Sequence, residues 1–314
     1  MWLVQYIPTE TKFHFMRLRR VAFPFSAALS VLSVLLFFAW GMNFGIDFKG
    51  GTLVEMQSRA GAADIADIRA RSGALGFGDA EVQQFGTPQD VSVRIALQEG
   101  GEQAQQGVVN RLRETFADQY EFRRIEVVGP RVSGELVQSG TLGVILAILG
   151  VLVYLWFRFE WQFALGAVVA TLHDLVLTMG FFALSQIEFN MTSIAAILTI
   201  LGYSINDTVV VYDRIREVMR KYKRLTTFEL IDLSVNATLS RTILTGVSVF
   251  LVLIALAIFG GEVIKGFAYA MLFGLVVGTY SSVFIAAPIL AYLGLKSSEA
   301  ASARADGKVA QPAE

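Results

Sequence analysis

The 314-residue chain contains no cysteine, two histidines, six prolines and few charges, 17% of its residues. The absence of cysteine excludes disulfides and thiolate metal sites, and His14 and His173 are too far apart to form a histidine cluster. No G-x-x-x-x-G-K-[ST] segment is present, so P-loop hydrolysis of a nucleotide is excluded as an energy source. The charge content lies well under the roughly 25% of soluble domains. With a formal net charge of -1, nothing marks a nucleic-acid partner, and no cofactor or metal is expected.

What fills the chain instead is apolar: 54% of residues are hydrophobic and the mean hydropathy is +0.55. The excess falls in six blocks, Val21–Gly41, Ser139–Phe157, Trp161–Leu184, Met191–Tyr212, Thr242–Phe259 and Phe267–Leu293. Each is near the ~20 residues needed to cross a ~30 Å hydrocarbon core. Lys12, Arg17, Arg19 and Arg20 precede the first block, which is too long for a signal h-region and lacks a small-x-small cleavage site. It is therefore expected to be a retained helix. Arg214, Arg216, Arg220, Lys221, Lys223 and Arg224 follow the fourth block, which puts that loop and the basic segment 1–20 on the cytoplasmic side, with both termini.

Residues 42–138 differ in composition, with 14 acidic and 10 basic side chains. They predict a soluble domain outside the membrane, reading strand (Thr52–Gln57), helix (Ala62–Leu75), strand (Glu81–Phe85), strand (Val91–Leu97), helix (Glu102–Asp118) and strand (Glu121–Val128). Alternation at Val91, Val93, Ile95 and Leu97 and helical spacing at Val108, Leu112 and Phe116 carry that reading. The order is that of a ferredoxin-like α+β sandwich. The fold class is thus a polytopic α-helical membrane protein with six transmembrane helices and such a domain, on the periplasmic side, between the first two.

The basic loop at about 213–241 reads in two ways. Ile215, Val218, Met219 and Tyr222 recur as in a helix lying at the lipid headgroups, and Thr226 with Glu229 matches a capping box opening a second short helix. Alternatively it is a solvated loop that sets topology. The tail 294–314, rich in Ala, Ser and charge, predicts disorder.

One residue departs from the apolar pattern most. Asp207 sits inside the fourth block, where even the lowest insertion scales put an aspartate at roughly +2.5 to +3.5 kcal/mol. Carboxylates at such depth carry protons or ions in gradient-driven transport.

Five segments give the chain a resemblance: Ile46-Asp47-Phe48-Lys49-Gly50-Gly51, Gly129-Pro130-Arg131-Val132-Ser133-Gly134-Glu135-Leu136, His173-Asp174, Gly202 through Arg216, and Ser240-Arg241-Thr242. In that order and placement it resembles the SecF family, membrane subunits of the bacterial SecD–SecF accessory complex of protein export, within the resistance-nodulation-division superfamily. The resemblance implies proton flow driving movement of the external domain to help draw a preprotein outward, with the family's membrane carboxylate at Asp207 and its partner arginine at Arg241. It also implies that SecD supplies a second six-span half as a heterodimer partner, and that the SecYEG channel, YajC, the preprotein and membrane lipid are contacts.

The depth of the two residues agrees. Asp207 lies about 6 residues, ~9 Å, to the cytoplasmic side of its span's midpoint, and Arg241 enters the fifth span from the cytoplasm with a side chain long enough to reach inward. Asp207 then alternates between a protonated form and an ionised form stabilised by Arg241, or else the pair is a permanent bridge between spans four and five. Ser204, Asn206 and Thr208 offer polar groups for a short water wire beside Asp207. His173 and Asp174 are either a second station of the relay or hydrogen-bonding groups that pack helices. Asp213, with Arg214, Arg216 and Glu217, reads better as a solvated salt-bridge cluster than as a proton mouth.

Gly274 and Gly278, continued by Ser281 and Ser282, form a small-residue face for close packing within the chain or against a partner. Asp47, Gly50 and Gly51, and at the far end of the soluble domain Gly129, Pro130 and Gly134, read as tight turns that hinge or couple that domain to its helices. Two other classes compete: a homodimeric half-transporter exporting a small hydrophobic molecule, and a scaffold with no proton role. A protease reading of Ser193, His173 and Asp174 lacks any nucleophile elbow or paired-aspartate motif. Sodium would fit a carboxylate and hydroxyl cluster almost as well as protons.

Overall fold

The computed structural model describes residues 11–78 and 80–295. The expectation of a disordered tail, and most of the N-terminal segment's first half, lie outside these residues. In chain order the elements are α1 (Phe15–Trp40), α2 (Ile46–Lys49), β1 (Gly51–Ser58), α3 (Ile65–Gly73), β2 (Ala80–Gln84), β3 (Asp90–Ile95), α4 (Gly101–Phe116), β4 (Tyr120–Val128), α5 (Pro130–Arg158), α6 (Trp161–Ser185), α7 (Met191–Lys221), α8 (Thr227–Phe259) and α9 (Gly261–Ser281). A π turn, Ser282–Ala286, joins α9 to α10 (Ala287–Tyr292). Among the described residues, six helical segments are long and apolar enough to cross a membrane, as the hydropathy blocks predict.

The chain divides into two units. One comprises residues 42–145 and 187–194, the other residues 1–41, 146–186 and 195–314. In the first, the sheet order is β2-β3-β1-β4 with every pair antiparallel. With α3 and α4 as crossovers this is the expected ferredoxin-like arrangement. Val91, Val93 and Ile95 alternate into its core and meet Val108, Leu112 and Phe116 of α4 and Ile68 of α3, all fully buried. The helix α3 begins later than its apolar pattern suggests because Asp64 caps it, accepting from the backbone N–H groups of Ala66 and Asp67 at 3.0 Å.

The second unit is the helix bundle. Half to two-thirds of the apolar windows of α6, α7 and the α9–α10 segment are buried, against 11%, 11% and 17% for α1, α5 and α8. The first three are therefore central, and the others present unpartnered apolar faces, as lipid- or protein-facing helices do. Close approaches use small residues. A Cβ on Gly180 of α6 would strike Ser33 of α1, and one on Gly166 would meet the Tyr212 hydroxyl.

The predicted basic loop is almost entirely helical. The helix α7 runs on through Lys221, where Ile215 is buried in the bundle core and Val218 is buried as well, rather than lying at headgroups. The capping box at Thr226 and Glu229 forms as expected, but it opens the 33-residue α8 and not a short separate helix. No glycine or proline interrupts residues 227–241, so nothing ends the helix before the fifth apolar block begins. Only residues 222–226 are left between the two helices.

Candidate functional site

Two buried carboxylates lie among the central helices, each held by hydroxyls from other helices. Asp207 of α7 is 5% exposed; its Oδ1 accepts from Thr242 of α8 at 2.7 Å and its Oδ2 from Ser282 at 2.6 Å. Asp174 of α6 is fully buried; its Oδ2 accepts from Ser204 of α7 and, at 2.7 Å, from Ser281, and its Oδ1 lies 2.9 Å from His173 Nδ1. Ser281 and Ser282 are consecutive, so about 100° of helical rotation between them directs one hydroxyl to α6 and the other to α7. The π turn begins at Ser282, and such turns recur at functional positions.

The glycine face explains how the segments come this close. A Cβ at Gly278 would lie 3.1 Å from the Ser204 Cβ, and one at Gly274 would fall on the Ile200 side chain. Both glycines therefore serve packing of α9 against α7 inside this chain, one of the two uses left open above. That approach seats Ser281 within reach of Asp174.

The expected contact between Asp207 and Arg241 is not formed. Thr242 is turned toward α7, so Arg241, one residue back and about 100° away, faces outward. It is exposed, and among the described residues Asp207 has no cation within 4.0 Å. The predicted wire beside Asp207 is also redistributed. The Ser204 hydroxyl goes to Asp174, Thr208 is buried, and Asn206 is exposed. His173 and Asp174 form one cluster with Ser204 and Ser281, while His173 Nε2 is buried and has no hydrogen-bond partner among the described residues. Its Nδ1 faces an Asp174 carboxylate oxygen at 2.9 Å.

Asp213 is the solvated pair that its border position suggests. Both its oxygens lie 2.7 Å from Arg158 Nη2, with each side chain about two-fifths exposed, and Arg214 pairs with Glu217 at 2.6 Å. Sequence reading placed Thr242, Ser281 and Ser282 in motifs but did not assign them as the carboxylates' partners. The available signal was a hydroxyl residue inside an apolar span, which needs a partner when buried.

In the sheet unit the turn glycines behave as expected at one end. Gly50 and Gly51 have φ of 70° and 120°, and a Cβ at Gly51 would strike the Ile95 carbonyl oxygen. Asp47 does something else: its Oδ2 accepts from the backbone N–H of Met191, the first residue of α7, at 2.9 Å. At the other end no tight turn forms. Gly129 alone separates β4 from α5, Pro130 opens the helix at a position where its missing N–H costs nothing, and Gly134 lies within α5.

Beside Asp47, Arg94 of β3 contacts Glu188 at 2.8 Å and Glu81 at 3.3 Å, and donates to the Phe44 carbonyl at 3.2 Å. Burial pushes the Glu188 carboxyl above the ordinary carboxylate value; Arg94 and Arg124 oppose that rise, and Asp47 and Glu126 add to it. Burial likewise raises Glu55, against the pull of Arg124.

The family model "Protein export membrane protein SecD/SecF, C-terminal" matches residues 108–296, and "SecD/SecF GG Motif" matches residues 35–62. Protein translocase subunit SecF of Rickettsia rickettsii is 41% identical over 291 residues, covering 90% of this chain and 92% of that one. SecF of Cereibacter sphaeroides is 46% identical, covering 92% and 91%. Protein translocase subunit SecDF of Brucella abortus is 47% identical across 97% of this chain, which spans only 40% of that longer protein. Among solved structures, SecDF from Thermus, a translocon-associated membrane protein, superposes with a TM-score of 0.82 at 32% identity, over 93% of this chain and 39% of that one.

Proposed function

The chain belongs to the SecD/SecF family of protein-export membrane proteins, and from that premise we propose that it is a SecF-type subunit of an accessory complex that uses the proton-motive force to assist preprotein passage through the Sec channel. It is a multi-pass protein that we place in the bacterial inner membrane with both termini cytoplasmic, on the charge asymmetry of its ends and loops. SecD is the partner that supplies the second half. The fused relative supports this, because this chain corresponds to only 40% of it. SecYEG, YajC and the moving preprotein complete the set of partners.

The observation that carries the proton reading is Asp207, buried at a bilayer-spanning position with two hydroxyl donors and no cation beside it among the described residues. In this arrangement each carboxyl oxygen has a hydroxyl for a partner. A turn of α8 about its axis exchanges Thr242 for Arg241, and the ionised carboxylate then has its counter-charge. Asp174 with His173 is the second station, joined to the first through the adjacent serines 281 and 282. Gly50 and Gly51 let the sheet domain turn as the helices shift.

The test is export of a reporter preprotein from energised vesicles carrying Asp207→Asn, Arg241→Met and the double substitution. Loss of the gradient-dependent component in each single variant, with no further loss in the double, is expected. Wild-type export in all three overturns the relay, and restoration of wild-type export by a sodium gradient alone reassigns the ion.

A further inference from the structure

Residues 187–194, the end of the α6–α7 connection and the first turn of α7, cluster with the sheet domain and not with the helix bundle into which both helices run. Several contacts of different kinds hold it there. Phe44 and Phe189 form a parallel bridge; Gly45 N–H donates to the Phe189 carbonyl and Phe189 N–H to the Asn43 carbonyl, both at 2.8 Å. The rings of Phe44, Phe48 and Phe189 lie 5.5–6.0 Å apart in a trio. Gly45 leaves room for Glu188, whose carboxylate would collide with any Cβ there.

Two charged groups finish the attachment. The Arg94 guanidinium, 11% exposed and rooted in the middle of the sheet on β3, reaches Glu188, and Asp47 caps the first N–H of α7. A carboxylate at a helix N-terminus is favoured by the helix dipole as well as by the hydrogen bond. Asp207 lies sixteen residues on, about 24 Å along the same unbroken helix.

We propose that Arg94, Glu188 and Asp47 form a strap that makes the first turn of α7 one body with the four-stranded sheet, so that displacement of α7 is delivered to the sheet domain. These are positioning residues, acting through α7 and not on the transported proton. The inference rests on the proton-driven reading above. It adds a route for the force that is separate from the covalent connections through α1 and α5. A helix transmits axial displacement well because its hydrogen bonds run along the axis. A loop does so only if it is fastened at its far side, and here the fastening is a buried-stem arginine on a central strand.

The experiment uses the intact protein in its native membrane. Arg94→Ala and Glu188→Ala are each expected to lower gradient-dependent export about fivefold, the low end of a coupling effect. Proton entry stays as in wild type. Because the chain has no cysteine, Phe44→Cys with Phe189→Cys can be placed at the bridged pair, which is within reach of a disulfide. In the Arg94→Ala background, oxidation of that pair restores export and reductant removes the gain, a result that a general packing defect does not produce. Wild-type export by Arg94→Ala in vesicles where Asp207→Asn fails overturns the strap alone. So does a loss that oxidation of the pair leaves unrepaired. Wild-type export by Asp207→Asn overturns the proton reading instead.

Discussion

Ser282 donates to Asp207 at 2.6 Å, one residue after Ser281 donates to Asp174 at 2.7 Å, so two neighbouring hydroxyls serve two buried carboxylates on two different helices. Each serine also reaches a backbone carbonyl one turn earlier, Gly278 for Ser281 and Thr279 for Ser282. The pair therefore links α6, α7 and α9 at one level of the bundle.

Removing one of these hydroxyls leaves a carboxylate oxygen buried and unpaired. Ser282→Ala is expected to cost about 1–2 kcal/mol of stability. Asp207→Asn, which keeps the volume, costs less. Thermal unfolding in detergent ranks the two, and the opposite order removes the hydroxyl cage as a stabilising feature.

Gly278 is where α9 and α7 come together. Gly278→Val adds atoms where a Cβ already lies 3.1 Å from Ser204, so about 1–3 kcal/mol of overpacking is expected, together with loss of export. Gly134, with nothing within 4 Å of its Cβ position, is the control. Gly134→Ala should leave export unchanged and gain about 0.5–1 kcal/mol from the helix backbone.

Arg241 is exposed in this chain, so Arg241→Met should shift its unfolding free energy by no more than about 0.5 kcal/mol. Export should nonetheless fall. A large loss of stability would mean that the side chain is an internal counter-ion after all, and melting curves separate the two outcomes.

Glu188 sets a pH dependence in the sheet domain. Its folded value is raised, by burial first, so its contribution to stability is full below the ordinary carboxylate value and is lost as pH rises through the raised one. Hydrogen exchange at the β1 and β3 amides of the intact protein should therefore slow on acidification across that window. Glu188→Gln, permanently neutral, should flatten the change. An unaltered profile in that variant assigns the dependence to Glu55, raised by burial in the same way.

The pair Arg158 and Asp213 makes a contrasting case. Both side chains are about two-fifths exposed, so a double-mutant cycle should give a coupling below about 1 kcal/mol despite the good geometry. A coupling of several kcal/mol would show that the site is drier than its exposure indicates.

Much of this architecture is readable from local pattern. Val91, Val93 and Ile95 alternate, and Val108, Leu112 and Phe116 repeat at helical spacing, so the sheet and its helix follow from which side chains must leave water. The misreading of residues 213–241 has an equally local origin. Positive charge marks the end of an apolar span, but it says nothing of whether the backbone stays helical there, and Ile215 and Val218 look alike on a core helix and on one lying at headgroups.

The sequence by itself determined the axial position of each group: Asp207 and Asp174 within apolar spans, Arg241 at the edge of another, and a small soluble domain between the first two. Hydropathy and periodicity are properties of consecutive residues, so they place a residue along a helix. Only the tertiary structure decided the azimuth and the partners. A rotation of about 100° per residue separates Thr242, which faces Asp207, from Arg241, which does not, and that phase is set by how neighbouring helices pack. Likewise, the distance between Arg94 and Glu188 along the chain gives no hint that they meet. The backbone bridge between Phe44 and Phe189 holds Glu188 where Arg94 reaches it, and with it the first turn of the helix that carries Asp207.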